Sequence, residues 1–189
     1  MKADITTKIN GVDTERLTDT ITAVKASPEL GRFSFQIANR WINGGENRSQ
    51  VKLFRGQGEV FSHKTNFELL ADEPDVLLGG DTGANPVEHL LHALASCVTT
   101  SMVYHAAARG IAIERVESSL EGNIDLQGFL GLDPTVRNGY QLIQLKLRIK
   151  ANVTDEQLQE LSSLGPTFSP VFDSIRHGVP ITVSAERLP

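Results

Sequence analysis

Cys97 is the only cysteine among 189 residues, and it sits in the almost wholly apolar run Asn85-Pro-Val-Glu-His-Leu-Leu-His-Ala-Leu-Ala-Ser-Cys97. A thiol so placed is either a small packing group or a protected nucleophile. Nucleophilic and redox chemistry need the thiolate, which apolar surroundings disfavour, so a reactive Cys97 requires a nearby cation, a hydrogen-bond donor or an opening to solvent. Other chemistry is less well supplied. His89 and His92 stand three apart on one side of the segment and His105 lies two turns beyond Cys97, but no pair has the spacing of a zinc motif. They read as helix-surface or interface histidines, and no metal is expected. The Gly79-Gly80 loop has no lysine or P-loop pattern, so neither phosphate binding nor a cofactor is expected.

The element that must position Cys97 has clear ends. Asn85 is a good N-cap, Pro86 suits the first helical position, and Glu88 stands three residues after the cap, where it can reach back in a capping box. Gly110 suits the residue past the end. Residues 86 to 109 then make a helix roughly 36 Å long, apolar on most sides, which needs cover on several of them.

Around it the chain alternates between strand and helix patterns. Asp13 can cap a first helix with Leu17, Ile21 and Val24 on one face, closed by Ser27-Pro28. Phe33 to Ile42 reads as a strand, Asn43 to Asn47 as a turn, Val51 to Phe54 as the returning strand and Phe67 to Ala71 as a third. After the long helix, Ile113 to Asp125 and Tyr140 to Val153 read as strands. In the second of these, Leu145, Leu147 and Ile149 alternate with Lys146, Arg148 and Lys150, the pattern of a sheet with one wet face. Thr154 and Gln157 form a capping box opening a short helix with Leu158 and Leu161, Ser169-Pro170 starts another that Gly178 closes, and Pro180 to Arg187 reads as a last strand. The class is α+β.

Composition excludes several roles. A net charge of −5 argues against a nucleic-acid or anionic-membrane partner. A single cysteine cannot form an intrachain disulfide. The opening residues Met1 to Lys8 have no apolar core of the signal-peptide kind, and Glu88, His89 and His92 interrupt the apolar stretch from Val87 to Val103, so a cytoplasmic protein with no membrane span is expected.

The runs Ala71-Asp-Glu-Pro, Gly79-Gly-Asp-Thr-Gly-Ala-Asn-Pro-Val-Glu-His-Leu-Leu-His-Ala-Leu-Ala-Ser-Cys97, Ala107-Ala-Arg-Gly-Ile111 and Phe168-Ser-Pro-Val-Phe-Asp-Ser-Ile-Arg-His-Gly-Val-Pro-Ile-Thr-Val183 resemble the OsmC/Ohr family of osmotically inducible and organic-hydroperoxide-resistance proteins. The resemblance covers residues 33–189 as one domain and leaves 1–32 as an N-terminal helical extension. It implies an intertwined homodimer with antiparallel sheets around long central helices. It also implies a thiol-dependent peroxidase that reduces organic hydroperoxides.

Site residues follow from the same resemblance. Cys97 takes the position of the attacking cysteine, and Arg48, in the turn Gly44-Gly45-Glu46-Asn47-Arg48, that of the arginine which stabilises the thiolate, with Arg40 as the alternative. A solvated hairpin arginine is the competing reading of Arg48. The family's second, resolving cysteine is replaced by Ser169, which also suits a helix N-cap, so regeneration falls to an external thiol. Its best-known reductases place a glutamate directly after the helix-opening proline, where this chain has Val87. Glu88 follows one place later, about 180° around the helix from Cys97 where Val87 is about 80° away, so it is either a cap partner or a displaced catalytic carboxylate. A binding protein that kept the dimer and its apolar pocket, with Cys97 as a core hydrophobe, is the other functional reading.

Overall fold

A computed structural model describes residues 8–188. Residues 1–7, which open the expected N-terminal extension and carry the expectation of no signal peptide, lie outside the described residues, as does Pro189. The chain divides into two compact units, with the boundary between His92 and Ala93.

The first unit opens on a two-residue hairpin, β1 (Lys8–Ile9) and β2 (Val12–Asp13), whose turn residues Asn10 and Gly11 both have positive φ. The helix expected next is α1 (Thr14–Ala26), capped by Asp13 through Arg16 N–H at 3.0 Å. The single strand expected over Phe33 to Ile42 is instead two, β3 (Phe33–Ser34) and β4 (Ile37–Asn43), in different sheets. The break falls at Phe35-Gln36 because each piece has its own partner. β4 pairs with β5 (Glu46–Val51), and β3 pairs with β6 (Phe54–Gly56), which turns through Gln57-Gly58 into β7 (Glu59–Phe61). The return strand expected at Val51 to Phe54 therefore begins five residues earlier, because the ladder closes directly on the Gly44-Gly45 turn. β8 (Glu68–Ala71) completes the β4-β5-β8 sheet.

The loop that follows is organised by one buried carboxylate. Asp72 accepts from Glu73 N–H at 2.8 Å, Gly80 N–H at 3.1 Å, Thr82 N–H at 3.2 Å and the Thr82 hydroxyl at 2.9 Å. Gly79 is required here, since a Cβ would lie 1.8 Å from the Glu73 carbonyl oxygen. This folds residues 72–84 tightly before α2 (Pro86–Ala108). The helix opens as its sequence indicates, with Asn85 Oδ1 accepting from Val87 N–H at 2.8 Å and Glu88 accepting from Asn85 N–H at 2.9 Å.

In the second unit the core is small and well defined. Leu94, Val98, Met102 and Ala106 of α2 recur every four residues and are buried on one face. Met102 and Ala106 pack with Leu161 and Leu164 of α4 (Asp155–Phe168) and with the inward faces of β9 (Ile113–Asn123) and β10 (Leu142–Ala151), including Val116, Leu147 and Ile149. Strands β9 and β10 form one antiparallel ladder, Arg148 opposite Glu117, and the alternation read from the sequence puts Lys146, Arg148 and Lys150 outward. Gly110, with φ 74°, closes α2 in a Schellman arrangement, Ile111 N–H reaching Ala106 O and Gly110 N–H reaching Ala107 O. A short α3 (Leu126–Phe129), not anticipated from sequence, sits in the β9–β10 connection.

The capping box of α4 is present, and α5 (Pro170–His177) starts at Ser169. The last strand expected over Pro180 to Arg187 does not form. A strand needs an edge to pair with, and the run finds none among the described residues, leaving Ile181 and Val183 80% and 90% exposed. The class is α+β with antiparallel sheets, and among the described residues no helix is long and apolar enough to cross a membrane.

Candidate active site

Cys97 is half-buried on α2, to one side of the buried stripe that carries Leu94 and Val98. Helix α4 comes close to the same turn: a Cβ on Gly165 would lie 2.7 Å from Val98 Cγ1 and 2.8 Å from the Val98 carbonyl oxygen. One turn on from Cys97, the Ser101 hydroxyl donates to the Phe168 carbonyl at 3.3 Å. Phe168 is the last residue of α4, and the next is Ser169. That serine is buried, and its hydroxyl accepts from Phe172 N–H at 3.1 Å, so it caps α5. A second turn on, the His105 ring stacks on Phe168 with centroids 3.8 Å apart and planes at 12°. Arg109 Nη1 donates to the His105 carbonyl at 2.9 Å and stands 3.4 Å from His105 Nδ1. Burial first, and the Arg109 charge second, hold the imidazole pKa below its ordinary value.

The other residues singled out from sequence lie in the first unit. Arg48 is not in the hairpin turn but within strand β5, directly opposite Arg40 on β4. Its guanidinium pairs with Glu46 at 3.0 Å and Glu68 at 3.8 Å. Glu88 receives the Asn85 N–H of its own capping box, and His89 Nε2 lies 3.0 Å from the Leu70 carbonyl. Among the described residues no group of three or more His, Cys, Asp or Glu side chains is arranged to hold a metal ion.

Sequence reasoning missed the Asp72 anchor and the His105–Phe168 stack. The first had a signal, an acidic residue opening a Gly- and Thr-rich loop that offers many N–H donors. The second had none, since its partners are far apart in the chain. Asp72 is held below the ordinary carboxylate range, first by the Glu73 N–H and then by Thr82.

A long helix carrying one cysteine, continued by antiparallel strands and two capped helices, defines a class that comparison with known proteins identifies. The family model described as OsmC-like protein matches residues 79–184, and the chain belongs to that family. Solved structures of the same fold include an OsmC-like protein from Mycoplasma pneumoniae, at 17% identity and a TM-score of 0.58 over 76% of this chain and 87% of that one. An organic hydroperoxide resistance protein OsmC from Legionella pneumophila matches at 16% identity and a TM-score of 0.52, over 77% of this chain and 90% of its own. An OsmC-like protein of unknown function from Vibrio cholerae matches at 14% and 0.51, over 75% and 92%. At these identities the likeness is one of fold. Comparison with curated protein sequences found no match.

Proposed function

We propose that the chain is a thiol-dependent peroxidase of the OsmC/Ohr type, reducing organic hydroperoxides through Cys97. The observation that carries this reading is the setting of the thiol: half-buried on an apolar helix, neither sealed in the core nor loose on a surface. In the reaction the Cys97 thiolate attacks the distal peroxide oxygen, the O–O bond breaks, and the departing alkoxide takes a proton and leaves as the alcohol. Cys97 becomes a sulfenic acid. With Ser169 unable to form a disulfide, an external thiol condenses with the sulfenic acid, releasing water. A second thiol then reduces the mixed disulfide and returns Cys97 to the thiol. Arg48 is assigned to stabilise the thiolate, with Arg40 as the alternative, and Glu88 to orient the site.

The working form is a homodimer. Its support is apolar surface left open by the single chain: Phe35 is 73% exposed, Trp41 69% and Tyr104 on α2 49%. Exposed apolar groups of this size support an interface with a second copy of the chain.

A second reading, a binding protein with a structural cysteine, is favoured by one observation. Arg48 is already engaged by Glu46 and Glu68, and an arginine held by carboxylates is a weaker partner for a thiolate. Stopped-flow reduction of cumene hydroperoxide and hydrogen peroxide separates the two. The peroxidase reduces the organic peroxide faster and gains one oxygen on Cys97 by intact mass. Rates no higher than those of free cysteine, for both peroxides, leave only the binding reading.

A further inference from the structure

Ser169 is the only residue between α4 and α5, and the residue before it is pinned to α2 twice. The Phe168 carbonyl takes the Ser101 hydroxyl at 3.3 Å, and the Phe168 ring takes the His105 imidazole at a centroid separation of 3.8 Å. Cys97, Ser101 and His105 recur every four residues and form one stripe on α2, about 60° around the helix from the buried stripe of Leu94, Val98 and Met102. The thiol therefore shares its side of the helix with both groups that grip Phe168. Gly165 adds a fixed point, since α4 already approaches the Val98 backbone within 2.8 Å of where a Cβ would stand. The junction is short, and its hydroxyl is buried.

His105 is itself held in place. Arg109 grips its carbonyl and stands beside Nδ1, an atom that can accept a hydrogen bond only when the ring is neutral. The ring's lowered pKa agrees with that uncharged state at neutral pH. A neutral imidazole lying parallel to a phenyl ring is a packing contact and needs no proton transfer.

We propose that the stack of His105 on Phe168 is a positioning clip that holds the α4–α5 junction, and with it the Ser169 hydroxyl, against the stripe that carries Cys97, and so limits access to the thiol. The inference rests on the reading of Cys97 as a reactive thiol. His105 and Phe168 are positioning residues and take no part in bond making. When the clip is released, the junction swings away and Cys97 opens to reagents.

The test is the rate of Cys97 alkylation by iodoacetamide in the full chain. His105→Ala should alkylate about fivefold faster, the change in opening that loss of one aromatic pair brings. His105→Phe, which keeps a stacked ring and removes the titratable group, should stay within about twofold of the wild type. Rescue by His105→Phe separates loss of the stacked ring from loss of the titratable group. The clip is overturned if His105→Ala alkylates within about twofold of the wild type, or if His105→Phe accelerates as much as His105→Ala. Should His105→Ala lose its far-UV circular dichroism, Phe168→Leu decides under the same limits. Alkylation needs no peroxide chemistry, so a wild type that reduces no hydroperoxide removes the proposed function while these rates still decide the clip.

Discussion

Arg40 and Arg48 are directly opposed across the β4–β5 ladder, two like charges on one face of the sheet. Such a pair is unfavourable unless carboxylates intervene, and here Arg48 is drawn to Glu46 and Glu68. Arg48 is the arginine proposed to serve the thiolate, with Arg40 as the alternative. Arg48→Ala should slow organic hydroperoxide reduction about tenfold, the loss of one modest charge interaction in the transition state. Arg40→Ala should leave the rate unchanged and relieve the repulsion. Initial rates with cumene hydroperoxide compare the variants, and the opposite ranking would move the role to Arg40.

Asp72 gives a pH signature. Its folded pKa lies below the ordinary value of 3.8, so its contribution to stability is fully present above that value and is lost as pH falls through the folded pKa. Asp72→Asn should lower the melting temperature at neutral pH, and the gap to the wild type should close below about pH 4. Thermal melts across that range check it, and a gap that does not depend on pH would assign the effect to the side chain's hydrogen bonds rather than to its charge.

Gly165→Ala tests the closeness of α4 to α2. The added methyl would meet Val98 Cγ1 at 2.7 Å and the Val98 carbonyl oxygen at 2.8 Å, a clash with backbone that cannot be relieved by one rotamer. Overpacking of this kind costs about 1–3 kcal/mol, measurable by urea denaturation. A neutral result would mean the two helices separate readily.

Ser169→Cys should restore a resolving thiol. With Phe168 tied to the turn after Cys97, oxidation of the variant should close a disulfide between Cys97 and the introduced thiol, seen as a loss of two hydrogens by mass, and protect Cys97 from sulfinic acid. Unchanged overoxidation of a folded variant would place the two positions out of reach.

Assembly is checked with two substitutions on α2. Met102 is wholly buried within its own chain's core, so Met102→Lys should unfold the protein outright. Tyr104 is half-exposed in the single chain, so Tyr104→Asp should keep the fold and lower the sedimenting mass from twice the chain mass toward once. A wild type that sediments as a single chain at micromolar concentration would remove the dimer.

The parts of this protein legible from sequence are those decided within a few residues. The ends of α2 follow from Asn85, Glu88 and Gly110, the start of α4 from Thr154 and Gln157, and the wet face of β10 from Lys146, Arg148 and Lys150. Each of these is a contact between near neighbours or a two-residue period, so the chain states it locally. The strand break at Phe35-Gln36, the placing of Arg48 inside β5, and the unpaired run from Pro180 were decided by which edge each segment could reach. Phe168 lying on His105 and accepting from Ser101 joins groups that are brought together only when the chain has folded. Hydrogen bonds and ring contacts of that kind depend on angstrom-scale distances between separate segments, and no local spacing in the chain records them.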